Sequence, residues 1–191
     1  MTLRVTLVAA ARSSSQLSER FDDDRPLDRA GWYEVGLVAH TLIPLGAAEL
    51  RYCSPTPRSR ATGDALGLAP MAQPALRDCD MGHWRGLTLG EVTAREPAAV
   101  NAWLADPRSA PHGGESLLGF IGRVGGWLNT RPADEGLIVA VAEPAVIRAA
   151  LVYALNAPPT AYWNVDVRPL STVTLAGLPG RWSLRLEAAV P

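Results

Sequence analysis

The chain has few cysteines, almost no net charge and no long apolar run, which argues against a disulfide scaffold, a nucleic-acid partner and a membrane span. Its 191 residues include two cysteines, Cys53 and Cys79, which are too few for a disulfide framework and lack metal-ligand spacing. Eighteen basic and nineteen acidic residues leave a net charge of −1, so no nucleic-acid partner is expected. No apolar run approaches the roughly 18 residues that span a bilayer. We therefore expect a cytoplasmic protein without a membrane partner, a metal or another cofactor.

The apolar residues form short runs that alternate with helical patterns. They make up 48% of the chain, which excludes wholesale disorder, and the length suits one domain covering residues 1–191. Runs of strand length lie at residues 3–9, 50–53, 75–78 and 137–142. A hairpin is predicted at the edge of the sheet from residues 172–175 and 182–186. The alternation predicts a three-layer α/β/α sandwich around a mostly parallel central sheet.

Capping residues predict where three of the helices begin. Asp28 is expected to be the N-cap of a helix that turns Trp32 toward the core. Thr56, which a proline follows, predicts a second helix start, and residues 88–91 have the form of a capping box. The second start puts Arg58 in a first helical turn, beside free backbone amides that suit an anion.

Polar residues follow the first predicted strand and the last parallel one. Residues 12–15 (RSSS) come directly after the first strand, and Glu143 comes directly after the run at 137–142. In an open α/β sheet, loops at the carboxyl ends of parallel strands form the crevice in which ligands bind. The sequence therefore predicts a ligand-binding edge built from these two loops.

Five segments occur in the order and with the spacing of the histidine phosphatase (phosphoglycerate mutase-like) superfamily. They are residues 7–13 (LVAAARS), 54–58 (SPTPR), 78–86 (DCDMGHWRG), 113–116 (GGES) and 141–148 (VAEPAVIR). The chain resembles this family over nearly its whole length. The resemblance implies a phosphoglycerate mutase-like fold and a pocket for a phosphate group.

The segments depart from the family at the residues that carry its chemistry, two histidines and two arginines. Ala9 stands at the position of the first arginine, Ala10 at that of the nucleophilic histidine and Glu143 at that of the second histidine. Of the four basic groups only Arg58 matches. An alanine methyl offers no lone pair to attack phosphorus, and loss of a nucleophile can cost about 10⁶-fold in turnover. A carboxylate at the second histidine position would also repel a phosphate.

These departures favour a non-catalytic member of the superfamily, a pseudoenzyme that acts as a small-molecule-binding or regulatory module. We expect Arg58 and Glu143 to form a salt bridge across a near-neutral, self-occupied pocket, and we expect no hydrolysis of phosphate esters. A small anionic metabolite is the expected ligand, and a protein partner or a homodimer stays open. The candidate pocket residues are Ala9, Ala10, Arg12, Ser13, Gln16, Arg58, Asp78, His83, His112 and Glu143.

Two enzymatic alternatives stay open. In the first, Glu143 and Asp78 act as a paired acid and base on an anionic substrate in another reaction class. The side chains that would then hold the anionic group are Arg12, Gln16 and Arg58. In the second, the chain is a divergent phosphatase or phosphomutase whose nucleophile has moved to His83 or His112. Asp78 matters in either case, because it stands where the family usually has a glutamate that donates a proton.

Overall fold

The computed structural model describes residues 3–13, 20–21, 24–132 and 136–186, and within them it contains a six-stranded sheet. The strands are β1 (Leu3–Ala9), β2 (Leu50–Cys53), β3 (Met71–Ala72), β4 (Leu137–Ala142), β5 (Thr172–Leu178) and β6 (Arg181–Arg185). Their order across the sheet is β3-β2-β4-β1-β5-β6. The first four of these neighbours run parallel, and β5 and β6 form the predicted antiparallel hairpin. Strands β1 and β4 therefore lie at the centre of the sheet.

Helices cover both faces of this sheet. They are α1 (Arg29–Leu42), α2 (Pro57–Ala65), α3 (Leu89–Arg95), α4 (Pro97–Ala105), α5 (Leu117–Asn129) and α6 (Pro144–Ala154). Successive strand residues point to opposite faces, so Leu7 packs with α5 and α6, whereas Val8 packs with α1 and α2. The predicted three-layer α/β/α sandwich is confirmed. No helix in the described parts of the chain is long and apolar enough to cross a bilayer.

Three helices, α1, α2 and α3, begin at the capping residues that the sequence predicts. The Asp28 carboxylate accepts a hydrogen bond of 2.7 Å from the backbone N–H of Gly31, and Thr56 caps α2 in the same way. Thr88 and Glu91 form the predicted capping box, in which each side chain accepts from the other residue's backbone N–H. Each cap satisfies an N–H group that the helix itself leaves open, which contributes about 1 kcal/mol.

Two local predictions are wrong. The expected strand at residues 75–78 is absent, because a single 3₁₀ turn over Pro74–Leu76 occupies its first half and the edge strand is Met71–Ala72 instead. A proline has no N–H for a strand ladder, but it suits the first position of a helical turn. Trp32, expected in the core, is 51% exposed, since the buried face of α1 runs through Val35.

Candidate functional site

Strands β1 and β4 end next to each other and bring Ala10 and Glu143 together. Ala9 and Ala142 are paired in the sheet, and the Ala10 N–H donates to the Ala142 carbonyl at 2.8 Å. Ala10 and Glu143 therefore leave the sheet side by side, as the sequence predicts. Helix α6 begins directly after Glu143, so its N-terminus lies at this edge. A cavity of about 310 Å³ opens there, and we call it the anion cavity.

The anion cavity is bordered by more positive than negative groups. Five arginines and three carboxylates of the described residues line it. They are Arg12, Arg20, Arg58, Arg148, Arg168, Asp78, Glu143 and Asp166. The excess of positive charge and the N-terminus of α6 both favour an anion. The predicted near-neutral, self-occupied pocket is wrong, because the fold gathers arginines here from several separate segments.

Glu143 is a buried carboxylate held from one side only. Its side chain is 2% exposed, and its Oε1 accepts hydrogen bonds from the hydroxyls of Ser59, at 2.9 Å, and Thr56. Within the described residues Oε2 has no hydrogen-bond partner. The predicted pairing with Arg58 is present but long, with 4.0 Å between Nε and Oε1. The two hydroxyls therefore fix the carboxylate and leave one of its oxygens for another donor.

Asp78 lies where three cavities meet. It lines the anion cavity, a cavity of about 320 Å³ beside Asp24 and Arg85, and an apolar cavity of about 350 Å³. Its Oδ1 accepts a hydrogen bond of 2.8 Å from the backbone N–H of Cys79, which orients the carboxyl group. A carboxyl at such a junction can reach a group that extends from one cavity into the next.

Arg123 of α5 holds the segment that carries Asp78. Its guanidinium pairs with the Glu115 carboxylate at 2.6 Å and donates to three backbone carbonyls. Those carbonyls belong to Ala75, Arg77 and Asp78. Hydrogen bonds from a charged donor are stronger than those between neutral groups. Arg123 therefore holds this segment in place, although no neighbouring strand pairs with it in the described part of the chain.

The other candidates from the loop after β1 differ in their surroundings. Ser13 is buried and lines the anion cavity. Arg12 also lines it and pairs with Glu34 at 3.2 Å. Ala9 is fully buried in the sheet, one residue before the cavity lining begins. Gln16 lies outside the described residues.

His83 and His112 do not line the anion cavity, and they form a separate group with Trp84 and Glu96 that we call the loop cluster. Nδ1 of His83 lies 2.8 Å from the His112 carbonyl, and Nε2 lies 3.0 Å from the Glu96 carboxylate. The hydrogen bond with Glu96 raises the pKa of His83, and burial lowers the pKa of His112. A nucleophile relocated to either histidine is therefore not supported by their placement. Neither residue could be placed from the sequence, because His83 lies in a single 3₁₀ turn and His112 in a loop, and packing between the two segments sets their positions.

The cysteines behave as the buried thiols that the sequence suggests. Burial raises the pKa of Cys53 to about 11, and burial also raises the pKa of Cys79. A thiol is a nucleophile only as the thiolate, so neither residue offers one near neutral pH.

Three arginines of the anion cavity were not among the sequence candidates. Arg148 lies on α6, little more than one helical turn after Glu143. The sequence could have indicated it, because it is the last residue of the VAEPAVIR segment. Arg20 reaches the cavity while donating to the Gly86 carbonyl at 2.8 Å. Arg168 precedes β5 and has no local signal in the sequence.

Comparisons with known proteins agree with this architecture. The family model of the histidine phosphatase superfamily (branch 1) matches residues 12–189. A glucosyl-3-phosphoglycerate phosphatase of Mycolicibacterium vanbaalenii is 38% identical over 128 residues, which cover 61% of this chain and 56% of that protein. The solved structure of mycobacterial hydrolase 1 has a TM-score of 0.80 at 25% identity, with 100% of both chains covered.

A solved mycobacterial glucosyl-3-phosphoglycerate phosphatase in complex with inorganic phosphate has a TM-score of 0.75 at 24% identity and covers 97% of both chains. The chain spans only 28% to 58% of the length of the curated relatives it matches. The interpretation of the chain as a non-catalytic pseudoenzyme is wrong on this comparison, because the relatives named with a single activity are phosphatases. The replacements at Ala10 and Glu143 have to be understood within a family of phosphatases.

Proposed function

Since the chain belongs to the histidine phosphatase superfamily, we propose that it is a divergent phosphatase, which hydrolyses small phosphate esters by direct attack of water. One observation carries the proposal: the buried carboxylate of Glu143 lines a cavity rich in arginine and has an oxygen without a hydrogen-bond partner among the described residues. A buried carboxylate oxygen is costly unless a donor satisfies it. A water molecule in the cavity is such a donor. The glucosyl-3-phosphoglycerate phosphatases among the relatives support the class of substrate.

Glu143 is the general base in this proposal. Ser59 and Thr56 hold Oε1, so Oε2 is the atom that takes a proton from the attacking water. The neighbouring Ala10 presents only a methyl group, which leaves room where an imidazole would otherwise stand. As the water oxygen forms its bond to phosphorus, the bond from phosphorus to the ester oxygen breaks.

Asp78 is the general acid. Its position at the junction of the cavities lets a protonated carboxyl donate to the ester oxygen as that oxygen leaves. The products are inorganic phosphate and an alcohol. Proton exchange with solvent then removes the proton from Glu143 and restores the one on Asp78, so the cycle closes without a covalent intermediate.

Arginines offset the repulsion between Glu143 and a phosphate. Arg58 and Arg148 both line the cavity, and the buried Nε of each lacks a hydrogen-bond partner within the described residues. Phosphate oxygens would satisfy these donors, since arginine binds phosphate through charge-assisted hydrogen bonds. The same groups would stabilise the charge that spreads over the phosphoryl oxygens during the reaction.

The test is the release of inorganic phosphate from a panel of phosphate esters by the purified chain and by Glu143→Gln. This variant keeps the shape of the side chain and removes its basicity, so kcat should fall about 10²- to 10⁴-fold. Glu49→Gln is the matched control, because Glu49 accepts a hydrogen bond from the Leu137 N–H at the opposite end of β4 and does not line the anion cavity. Equal activity in all three proteins, or accumulation of an acid-labile phosphoprotein during turnover, would contradict the proposal.

A further inference from the structure

An apolar chamber of about 350 Å³ adjoins the anion cavity. The two spaces share Arg20, Asp78, Ala145 and Arg148 as lining residues. They are therefore adjacent, and a ligand that extends past Asp78 can occupy both. The shared boundary contains Asp78, the carboxyl group that the proposed reaction uses at the ester oxygen.

Aromatic and aliphatic side chains form most of the chamber wall. They are chiefly Phe21, Trp103, Leu104, Leu117, Phe120 and Trp163. The ring centroids of Trp103 and Trp163 lie 4.7 Å apart at 73°, and those of Phe21 and Trp103 lie 5.7 Å apart at 85°. Rings that meet edge to face in this way leave aromatic surfaces against which another flat ring packs well.

The charged residues of the chamber are confined to one side. Among the described residues that line it, only Arg20, Asp78 and Arg148 carry charge, and all three belong to the boundary with the anion cavity. The rest of the chamber offers no charged partner to a second phosphate or a carboxylate. A ligand that fills both spaces is thus charged at one end and apolar at the other.

We propose that the chamber holds the alcohol part of the substrate and that the substrates are phosphate monoesters of flat, aromatic alcohols. This inference rests on the proposed phosphatase function and specifies its substrate class. The phosphate lies among the arginines at the strand ends, the ester oxygen lies at Asp78, and the aromatic body packs against Trp103 and Trp163.

The test compares two probes that are not hydrolysed, phenylphosphonate and methylphosphonate, by calorimetric titration of the purified chain. Both carry the anionic group, and only the first carries a ring. Burial of the ring should make phenylphosphonate bind at least about tenfold more tightly. Trp163→Ala should abolish this preference and leave the affinity for methylphosphonate unchanged.

Two further variants keep the test decisive if Trp163→Ala does not fold. Leu104 is 42% exposed at the rim, so Leu104→Glu should fold and should also reduce the preference, because it adds a carboxylate to the apolar wall. Trp32→Ala is the matched tryptophan control, since Trp32 is exposed on α1 and lines none of the three cavities. It should keep the full preference.

The outcomes separate the two proposals. A preference that Trp163→Ala and Leu104→Glu abolish and Trp32→Ala keeps supports the aromatic substrate class. Equal binding of both phosphonates would overturn it and leave the phosphatase proposal intact. Failure of both phosphonates and of inorganic phosphate to bind would overturn the anion site, and the substrate class with it.

Discussion

The anion cavity and the loop cluster are both polar, but they differ in whether their buried polar atoms without a protein partner border an open cavity. In the loop cluster both nitrogens of His83 lie at hydrogen-bond distance from protein atoms. The buried Nε2 of His112 has no hydrogen-bond partner among the described residues, but His112 lines none of the three cavities. In the anion cavity Glu143 and Arg148 have buried polar atoms without a hydrogen-bond partner among the described residues. The comparison teaches that His83 and His112 lie in packed surroundings away from the anion cavity, whereas the groups that border the cavity are carboxylates and arginines.

The largest effect is expected at Trp84, whose ring contacts both histidines of the loop cluster. Trp84 is fully buried and lies 5.1 Å from the His112 ring and 5.7 Å from the Trp103 ring, between centroids. Trp84→Ala should lower the free energy of unfolding by about 3–5 kcal/mol, measured by urea denaturation, because it leaves a large cavity. Trp32→Ala removes an exposed tryptophan and should change this free energy by about 0.5 kcal/mol or less. Similar losses in the two variants would mean that the loop cluster is not a packing centre.

The anion cavity is tested by comparing two arginines of the same helix. Arg58 lines the cavity, whereas Arg60 of α2 is exposed and does not line it. Arg58→Ala should weaken the binding of inorganic phosphate about 10- to 100-fold by calorimetry, since a hydrogen bond to a charged group contributes about 1.5–3 kcal/mol. Arg60→Ala should leave the affinity nearly unchanged. If the two variants weakened binding equally, only the general charge of the helix would matter.

The smallest expected effect is on pH dependence, in which His83 and His112 should oppose each other. The hydrogen bond with Glu96 raises the pKa of His83, so its contribution to stability is present below the unfolded pKa of about 6.5 and is lost as pH rises through the folded value. Burial lowers the pKa of His112, so its contribution is present above about pH 6.5 and is lost as pH falls toward the folded value.

The measurement is the free energy of unfolding of wild type, His83→Gln and His112→Asn between pH 5 and pH 8. The gap between wild type and His83→Gln should shrink as pH rises, and the gap for His112→Asn should shrink as pH falls. Gaps that do not vary with pH in either variant would show that neither imidazole titrates differently in the folded chain.

The length and composition of apolar runs predict the central strands to the residue. Strand β4 is an unbroken apolar run, and β1 is one apart from the exposed Arg4 and the buried Thr6, because both strands lie at the centre of the sheet with helices on either face. Strand β3 has only two residues, both exposed, and it exists because it pairs with Tyr52 and Cys53 of β2. Such a strand is a product of tertiary pairing and has no sequence pattern of its own.

The candidate site is predictable where residues directly follow a strand and unpredictable where long loops carry them. Ala10 and Glu143 meet because β1 and β4 are neighbours, which follows from the fold class. The positions of His83 and His112 depend on how two loops pack, and one contact is decisive: a side chain at Gly82, where φ is +49°, would collide with the His112 carbonyl. The pseudoenzyme interpretation of Ala10 and Glu143 was wrong because a missing nucleophile excludes one mechanism of phosphate-ester hydrolysis and not hydrolysis in general.

The pairing of β1 with β4 has a consequence for the time at which the site can form. Arg4 pairs with Leu137, and Val8 pairs with Val141, so the two halves of the cavity edge lie far apart in the chain. Contacts at such sequence separation form late in folding, because the intervening loop must close first. Helices α1 to α5 can be present before any anion can bind. Phosphate affinity, followed during refolding, would therefore report the completion of the sheet rather than the gain of helical structure.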